Sequence, residues 1–241
     1  LIGCEPDEKV SAFIGVKQDQ FHEDHFVVMA TEKGIVKKTK LSAYSNPRKK
    51  GIYAVEIREG DSLIEARVSS GENDILLGTT NGKSIRFSEE QIRPSGRKTM
   101  GVKGITLSSK DDKVVGMLLI KREGTVLVAT ENGFGKRTEI IQYRAQKRGG
   151  KGVLTMKTTD KIGKMITIKE VVGTDDLMII RDDGVLIRMP VSQIRSIGRA
   201  TQGVKLIKLA EGTKVSAITR IISEEEKTAD EPENNPEPQD T

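Results

Sequence analysis

Val126-Leu127-Val128-Ala129-Thr130-Glu131-Asn132-Gly133-Phe134-Gly135-Lys136-Arg137-Thr138 reads as a strand, a tight turn and a second strand. The apolar run is short and β-branched, and Asn-Gly between two such runs is a strong hairpin signal, since a type I′ turn needs positive φ at both central residues. The same pattern recurs outward in both directions. Phe26-Val27-Val28-Met29, Ile75-Leu76-Leu77 and Leu177-Met178-Ile179-Ile180 precede Lys33-Gly34, Asn81-Gly82 and Asp183-Gly184. The turn glycines at 34, 82, 133 and 184 are spaced by 48, 51 and 51 residues. A second glycine follows at 51, 101, 152 and 203, each opening an apolar stretch such as Val204-Lys205-Leu206-Ile207. Closing strands are expected at 63–68, 114–120, 165–168 and 215–221.

About four strands per ~50 residues is the signature of propeller-type blades. The chain is therefore read as all-β, with repeats at 25–69, 73–122, 124–172 and 175–222, and a short helical or turn segment such as Glu89-Glu90-Gln91-Ile92 inside each repeat. Residues 7–16 match the closing strands, especially Thr213–Ile218, and are expected to be the last strand of a further blade that begins upstream. The start at Leu1, without Met, reads as a cut end. Aromatics make up 3% of 241 residues with no Trp, so the core must be Ile, Val and Leu.

The net charge of +5 is divided sharply. Residues 223–241 hold eight acids and Lys227 alone as a base, a charge of −7, which leaves +12 on residues 1–222. With Pro232, Pro236 and Pro238 and no apolar period, this tail cannot bury enough surface to fold and is read as disordered. A basic body suggests a polyanionic partner. One cysteine, Cys4, excludes an intramolecular disulfide and fits a cytoplasmic setting. No apolar run reaches the length of a membrane span.

The bases keep the register of the repeat. Four residues after each turn glycine stand Lys38, Arg86, Arg137 and Arg188, and one residue earlier Lys37, Ile85, Lys136 and Ile187. Alternation along a strand predicts that the first series faces solvent and that Ile85 and Ile187 face inward, with Lys37 and Lys136 as exceptions. Four residues before the second glycine stand Arg97, Arg148 and Arg199, the first of them followed by Lys98. The first repeat is two residues shorter there and carries Arg48-Lys49-Lys50. The richest loop is Gln146-Lys147-Arg148-Gly149-Gly150-Lys151-Gly152, whose glycines are expected to let backbone N–H groups turn toward an anion. These bases together are expected to form a rim for duplex phosphates, read without sequence preference. Three tyrosines, Tyr44, Tyr53 and Tyr143, are too few to stack unpaired bases.

No catalytic set is present. Gly133–Thr138 lacks the first glycine of a P-loop, and His22-Glu23-Asp24-His25 has no third-ligand cluster beside it, so no metal or cofactor site is expected.

Gln146–Gly152 resembles the gyrase-A box, Q-R-R-G-G-K-G, with Lys in place of one Arg. Gly34–Thr39, Asn132–Thr138 and Gly198–Val204 are similar to further segments of the C-terminal domain of the bacterial DNA gyrase A subunit. The resemblance covers residues 7–222. It implies a β-pinwheel, a propeller-like disc whose blades exchange strands and which wraps duplex DNA on a basic rim for negative supercoiling. It also implies partners: a gyrase A catalytic core and gyrase B in an A2B2 assembly that uses ATP and Mg at sites outside this chain. The family disc commonly has six blades, with its box in the first, whereas the copy here aligns with the fifth. The corresponding domain of the topoisomerase IV A-type subunit is the close alternative, and a propeller scaffold for acidic proteins is a more distant one. Tyr143 lies between blades and is not the strand-cleaving tyrosine.

Overall fold

The computed structural model describes residues 9–21, 24–48, 51–121 and 123–222. The expected disorder of 223–241, the bases Lys49 and Lys50, and His22 and Glu23 lie outside these residues.

Among the described residues every regular element is a strand or a short 3₁₀ turn. The strands are β1 (Phe26–Thr31), β2 (Ile35–Lys40), β3 (Leu63–Ser69), β4 (Asp74–Thr79), β5 (Lys83–Ser88), β6 (Val102–Lys103), β7 (Val114–Ile120), β8 (Thr125–Thr130), β9 (Phe134–Glu139), β10 (Val153–Leu154), β11 (Met165–Val171), β12 (Asp176–Arg181), β13 (Leu186–Pro190), β14 (Val204–Lys205) and β15 (Val215–Ile221). They form four antiparallel sheets in the orders β3-β1-β2-β6, β10-β5-β4-β7, β11-β8-β9-β14 and β13-β12-β15. Blades 1 to 3 thus take their fourth strand from the following repeat, as the resemblance implies. Blade 4 was expected to be four-stranded and has three strands among the described residues.

The hairpin turns differ from expectation in type. Each turn glycine N–H bonds the carbonyl three residues back, as Gly34 to Thr31 at 3.0 Å and Gly133 to Thr130 at 3.0 Å. Among the described residues positive φ occurs at glycines alone, so Asn81, Asn132 and Asp183 do not adopt the type I′ conformation. The geometry is a type I turn closed by a left-handed glycine, the three-residue hairpin alternative. The glycine also serves the next repeat: Gly82 O accepts from Thr155 N–H at 2.8 Å and Met156 N–H at 3.0 Å. A Cβ on Gly82 would lie 2.0 Å from Met156 O, so the close approach, as much as the φ of +75°, requires glycine.

Of the strand expected at 7–16, residues 9–16 are described and form none. Their contact with blade 1 is through side chains, Ala12 and Val16 packing on the cluster of Val27, Met29, Leu41 and Ala66, while Phe13 stands exposed. Packing of this kind offers no backbone ladder.

The core lies between blades rather than within one sheet. Val36, Leu77, Ile85 and Met117 share the cluster at seam 1–2, Leu76, Val128, Tyr143 and Met165 that at seam 2–3, and Leu127, Ile179, Val191 and Ile218 that at seam 3–4. Full burial of each such side chain contributes roughly 1.5–3 kcal/mol. The closing strands pack in succession, β3 on β7, β7 on β11 and β11 on β15, and therefore line the inner side. The borrowed strands β6, β10 and β14 lie at the opposite, outer edge of each blade.

Candidate nucleic-acid interface

Most of the periodic bases lie in the seams. Lys38 was expected to face solvent and is buried: its Nζ lies 3.5 Å from Glu89 Oε1 and donates to Glu89 O at 3.2 Å. Arg86 is half-buried, bonded to Asp74 at 2.7 Å, and donates to the carbonyls of Ile140 and Tyr143 at 3.3 Å. Arg137 donates to Ile194 O at 2.8 Å. In each case a base on the second strand of one blade holds the 3₁₀ turn of the next. Arg188, on blade 4, pairs among the described residues with Asp176 of its own blade at 2.6 Å and is 64% exposed. The strand pattern points these side chains out of their own sheet, as read, but out of the sheet here means into the next blade.

The second loop series behaves alike. Arg148 donates to Gln91 O at 2.9 Å and Lys103 O at 3.2 Å, and Arg199 donates to Leu154 O at 2.9 Å. Arg97 is partly buried, and its carbonyl accepts from Lys37.

Lys37 and Lys136 are buried completely, at 1% and 0% exposure. Lys37 Nζ donates to Ala54 O at 2.8 Å and to Arg97 O. Lys136 Nζ donates to Gly198 O at 2.7 Å, Thr201 O at 3.4 Å, Thr201 Oγ1 at 3.0 Å and Arg199 O. The expectation that Lys37, Lys38 and Lys136 stand on a rim therefore fails: their ammonium groups satisfy backbone carbonyls, of the following repeat and, for Lys37, also Ala54 O of its own, and are withheld from solvent. Burial, assisted by Arg97 beside Lys37 and Arg199 beside Lys136, pushes both amines from 10.5 down to about 8. Between those values the unfolded chain binds protons that the folded chain has released, so stability rises with pH through this window. Urea unfolding from about pH 8 to about pH 10 is expected to show that rise, and the doubly substituted Lys37→Met, Lys136→Met chain to lack the part due to these two amines. Equal pH profiles would overturn the assignment.

In blade 2 the buried lysine is replaced by Ile85, and the glycine-rich block is the adaptation to it. Gly150 packs over Ile85, and the Thr106 hydroxyl donates to Gly149 O at 2.6 Å; the bond from Thr106 N–H to Gly150 O at 2.9 Å is shared by the neighbouring seams, where Glu56 N–H donates to Thr99 O at 3.1 Å and Lys157 N–H to Thr201 O at 3.0 Å. The block's N–H groups were expected to turn toward an anion. Gln146 N–H instead donates to Arg86 O at 2.8 Å, Arg148 N–H to Gln91 Oε1 at 2.9 Å and Gly149 N–H to Gly104 O at 2.6 Å. Gly149 and Gly152 have φ of +80° and +68°, which shape this clasp between blades 2 and 3. Tyr143 is buried beneath, its hydroxyl pushed up to about 12 chiefly by burial, with Arg199 6.0 Å over the ring.

The exposed bases among the expected set are Arg48, Lys98, Lys147, Lys151 and Arg188. A further in-register series, missed in the sequence, joins them. Arg93, Arg144 and Arg195 each lie eleven residues beyond a turn glycine and are exposed. Each leads the segment that runs along the outer edge of the preceding blade: Ser95 N–H bonds Lys38 O at 2.9 Å, Gln146 N–H bonds Arg86 O at 2.8 Å and Ile197 N–H bonds Arg137 O at 2.9 Å. Lys103 and Lys205, exposed on β6 and β14, continue the same edge. Solvent-facing cations thus stand on the outermost segment of blades 1, 2 and 3, held by rigid seams. Such an arrangement can neutralise a regularly charged polyanion without ordering loops. Among the described residues no group of three or more His, Cys, Asp or Glu could hold a metal ion. Among the described residues no helix is long and apolar enough to cross a membrane.

The family described as DNA gyrase C-terminal domain, beta-propeller, matches residues 25–70, 73–121, 124–171 and 175–221. The DNA gyrase A subunit of Staphylococcus aureus (strain NCTC 8325 / PS 47) is 44% identical over 236 residues, 97% of this chain and 26% of that protein. The Staphylococcus epidermidis protein is 44% identical over 227 residues, 93% of this chain and 25% of that protein. The chain therefore spans about a quarter of the length of these relatives. A solved DNA gyrase A C-terminal domain superposes with TM-score 0.81 at 20% identity, covering 92% of this chain and 73% of the other. The C-terminal domain of DNA topoisomerase IV gives 0.79 at 22%, covering 83% and 63%.

Proposed function

The chain belongs to the DNA gyrase C-terminal domain family, and on that premise we propose that its outer blade edges bind duplex DNA and wrap it for supercoiling by gyrase. The observation that carries the reading is the exposed row Arg93, Arg144 and Arg195 with Lys98, Lys103, Lys147, Lys151 and Lys205 on one side of the array. Arg offers a planar fork to phosphate oxygens and Lys a mobile charge. Contacts of this kind position a duplex and carry no base readout. The lysines buried in the seams serve the disc, and only the outer-edge bases meet DNA.

The gyrase reading is favoured over topoisomerase IV by the 44% identity to gyrase A proteins and by the near-complete box at Gln146–Gly152. Partners on this reading are the gyrase A catalytic core and gyrase B in an A2B2 assembly, with ATP and Mg used there, in the bacterial cytoplasm at the nucleoid. This chain supplies geometry rather than bond chemistry. Bending a 20–30 bp site by 40–90° costs of order 1–6 kcal/mol, so several blades must share the contacts.

Binding of a mixed-sequence duplex titrated against salt tests the proposal. The logarithm of affinity is expected to fall linearly with the logarithm of salt at a slope of about −0.9 per phosphate neutralised, with little dependence on sequence. A response flat in salt would overturn it.

A further inference from the structure

Eight residues beyond each turn glycine stand Ser42, Glu90, Ile141 and Ser192, each the second residue of its 3₁₀ turn. All four are exposed. Three are polar, so the turn forms without an apolar residue at this place. Ile141 is 87% exposed, more than any other large apolar side chain among the described residues. It belongs to seam 2–3, between two four-stranded blades.

A lone exposed isoleucine needs no explanation by itself. This one is fixed in place and set among bases. Arg86 donates to the carbonyls of Ile140 and Tyr143, on either side of it, at 3.3 Å each. Tyr143 N–H bonds Ile140 O at 2.9 Å, and the Tyr143 ring is buried. The side chain therefore projects from a closed turn that the preceding blade clamps. Exposed Arg144 and Lys147 follow it, while the nearby acid Glu139 accepts from the Ser196 hydroxyl at 2.9 Å. Three residues reach at most about 11 Å, less than the roughly 12 Å width of a major groove, so a duplex lying on Arg144 also covers Ile141.

We propose that Ile141 enters the major groove of the bound duplex and packs on thymine 5-methyl groups, which gives a phosphate-held wrap a preference for thymine at one point of its path. The inference rests on the duplex-binding reading above and adds to it a contact with bases. The choice of groove follows from chemistry. The minor groove offers an isoleucine only polar edges, whose desolvation no apolar tip can repay, whereas the thymine methyl is the apolar feature of the major groove. A wedge driven into the minor groove would also kink the duplex toward its major groove, away from the disc and against the wrap.

The test compares two duplexes of equal length, one of alternating adenine and thymine and one with deoxyuridine in place of every thymidine, so that methyl groups alone differ. The 241-residue chain is expected to bind the thymine duplex roughly fourfold more tightly, the effect of one buried methyl group. Ile141→Ser is expected to bind both duplexes alike, and Ile141→Leu to keep most of the difference. The salt slopes of all three should coincide, since no phosphate contact changes. Serine is the native residue here in repeats 1 and 4, so Ile141→Ser should unfold at the parent's urea midpoint. Equal affinity of the parent for the two duplexes, a preference that survives Ile141→Ser, or a loss on Ile141→Ser that is the same for both duplexes would each overturn the proposal and, with the salt slope intact, leave duplex binding standing. A salt response that is flat in the parent would overturn both.

Discussion

Replacing Arg93, Arg144 and Arg195 together by alanine is expected to weaken duplex binding roughly 10²-fold near 0.1 M salt and to flatten the salt slope by about 2.7. The magnitude follows from counterion release: each phosphate that is no longer neutralised removes about 0.9 from the slope, and three residues neutralise one phosphate each. The three side chains are exposed and lead outer-edge segments whose backbone bonds stay in place, so unfolding midpoints should move by less than about 0.5 kcal/mol, as for other surface changes. Fluorescence anisotropy across a salt series, with urea unfolding on the same samples, checks both parts. Unchanged affinity in a folded variant would remove this row from the interface. The contrast is Arg137→Ala, which strips a donor from Ile194 O in seam 3–4 and is expected to act on stability first.

Lys136→Ala is expected to have the largest effect on the fold, a loss of about 3 kcal/mol. Its ammonium group donates to three backbone carbonyls and one hydroxyl of residues 198–201. Leaving buried acceptors without a donor costs about 1–3 kcal/mol each where water cannot replace it. Removal of the four-methylene stem also leaves a void between β9 and the loop 198–201 that its ammonium group reaches. Lys136→Met keeps the volume and loses only the donors, so its smaller deficit separates the two contributions. Blade 2 shows what accompanies a native apolar residue here: Ile85 stands with Gly149 and Gly150 and with Thr106, whose hydroxyl donates to Gly149 O. Lys136→Ile without those partners should therefore remain destabilised. Equal stability of Lys136→Ala and the parent chain would refute the role.

The repeat, its strands and its turn glycines were legible because each is a local signal. Periods of two, Asn-Gly turns and a second glycine series need only neighbouring residues. The roles of the bases were not local. Lys37 occupies the inward register of Ile85, and alternation alone places it in the core, but its acceptors Ala54 and Arg97 lie on segments far along the chain. Nothing near Lys37 announces them. Lys38, Arg86 and Arg137 leave their own sheet as the alternation predicts, and only the packing of the next blade turns that exterior into a seam. The Arg93, Arg144, Arg195 register was readable, and was obscured because the first repeat has Ser45 there. The turn type was misjudged for a simpler reason: Asn-Gly also suits a type I turn in which the glycine alone becomes left-handed. A glycine-rich basic loop looks the same in sequence whether its N–H groups meet an anion or, as here, the neighbouring blade.

The exchange of fourth strands has a consequence for how the chain is made. Val36 has to wait for Val102, Ser84 for Val153 and Gly135 for Val204. As the polypeptide emerges during synthesis, each of blades 1 to 3 remains unfinished, with one bare edge, until most of the next repeat has followed. Maturation therefore advances as a wave that trails translation by one repeat, and a pause within any repeat leaves the blade before it, rather than the one being made, open to pairing with a foreign strand.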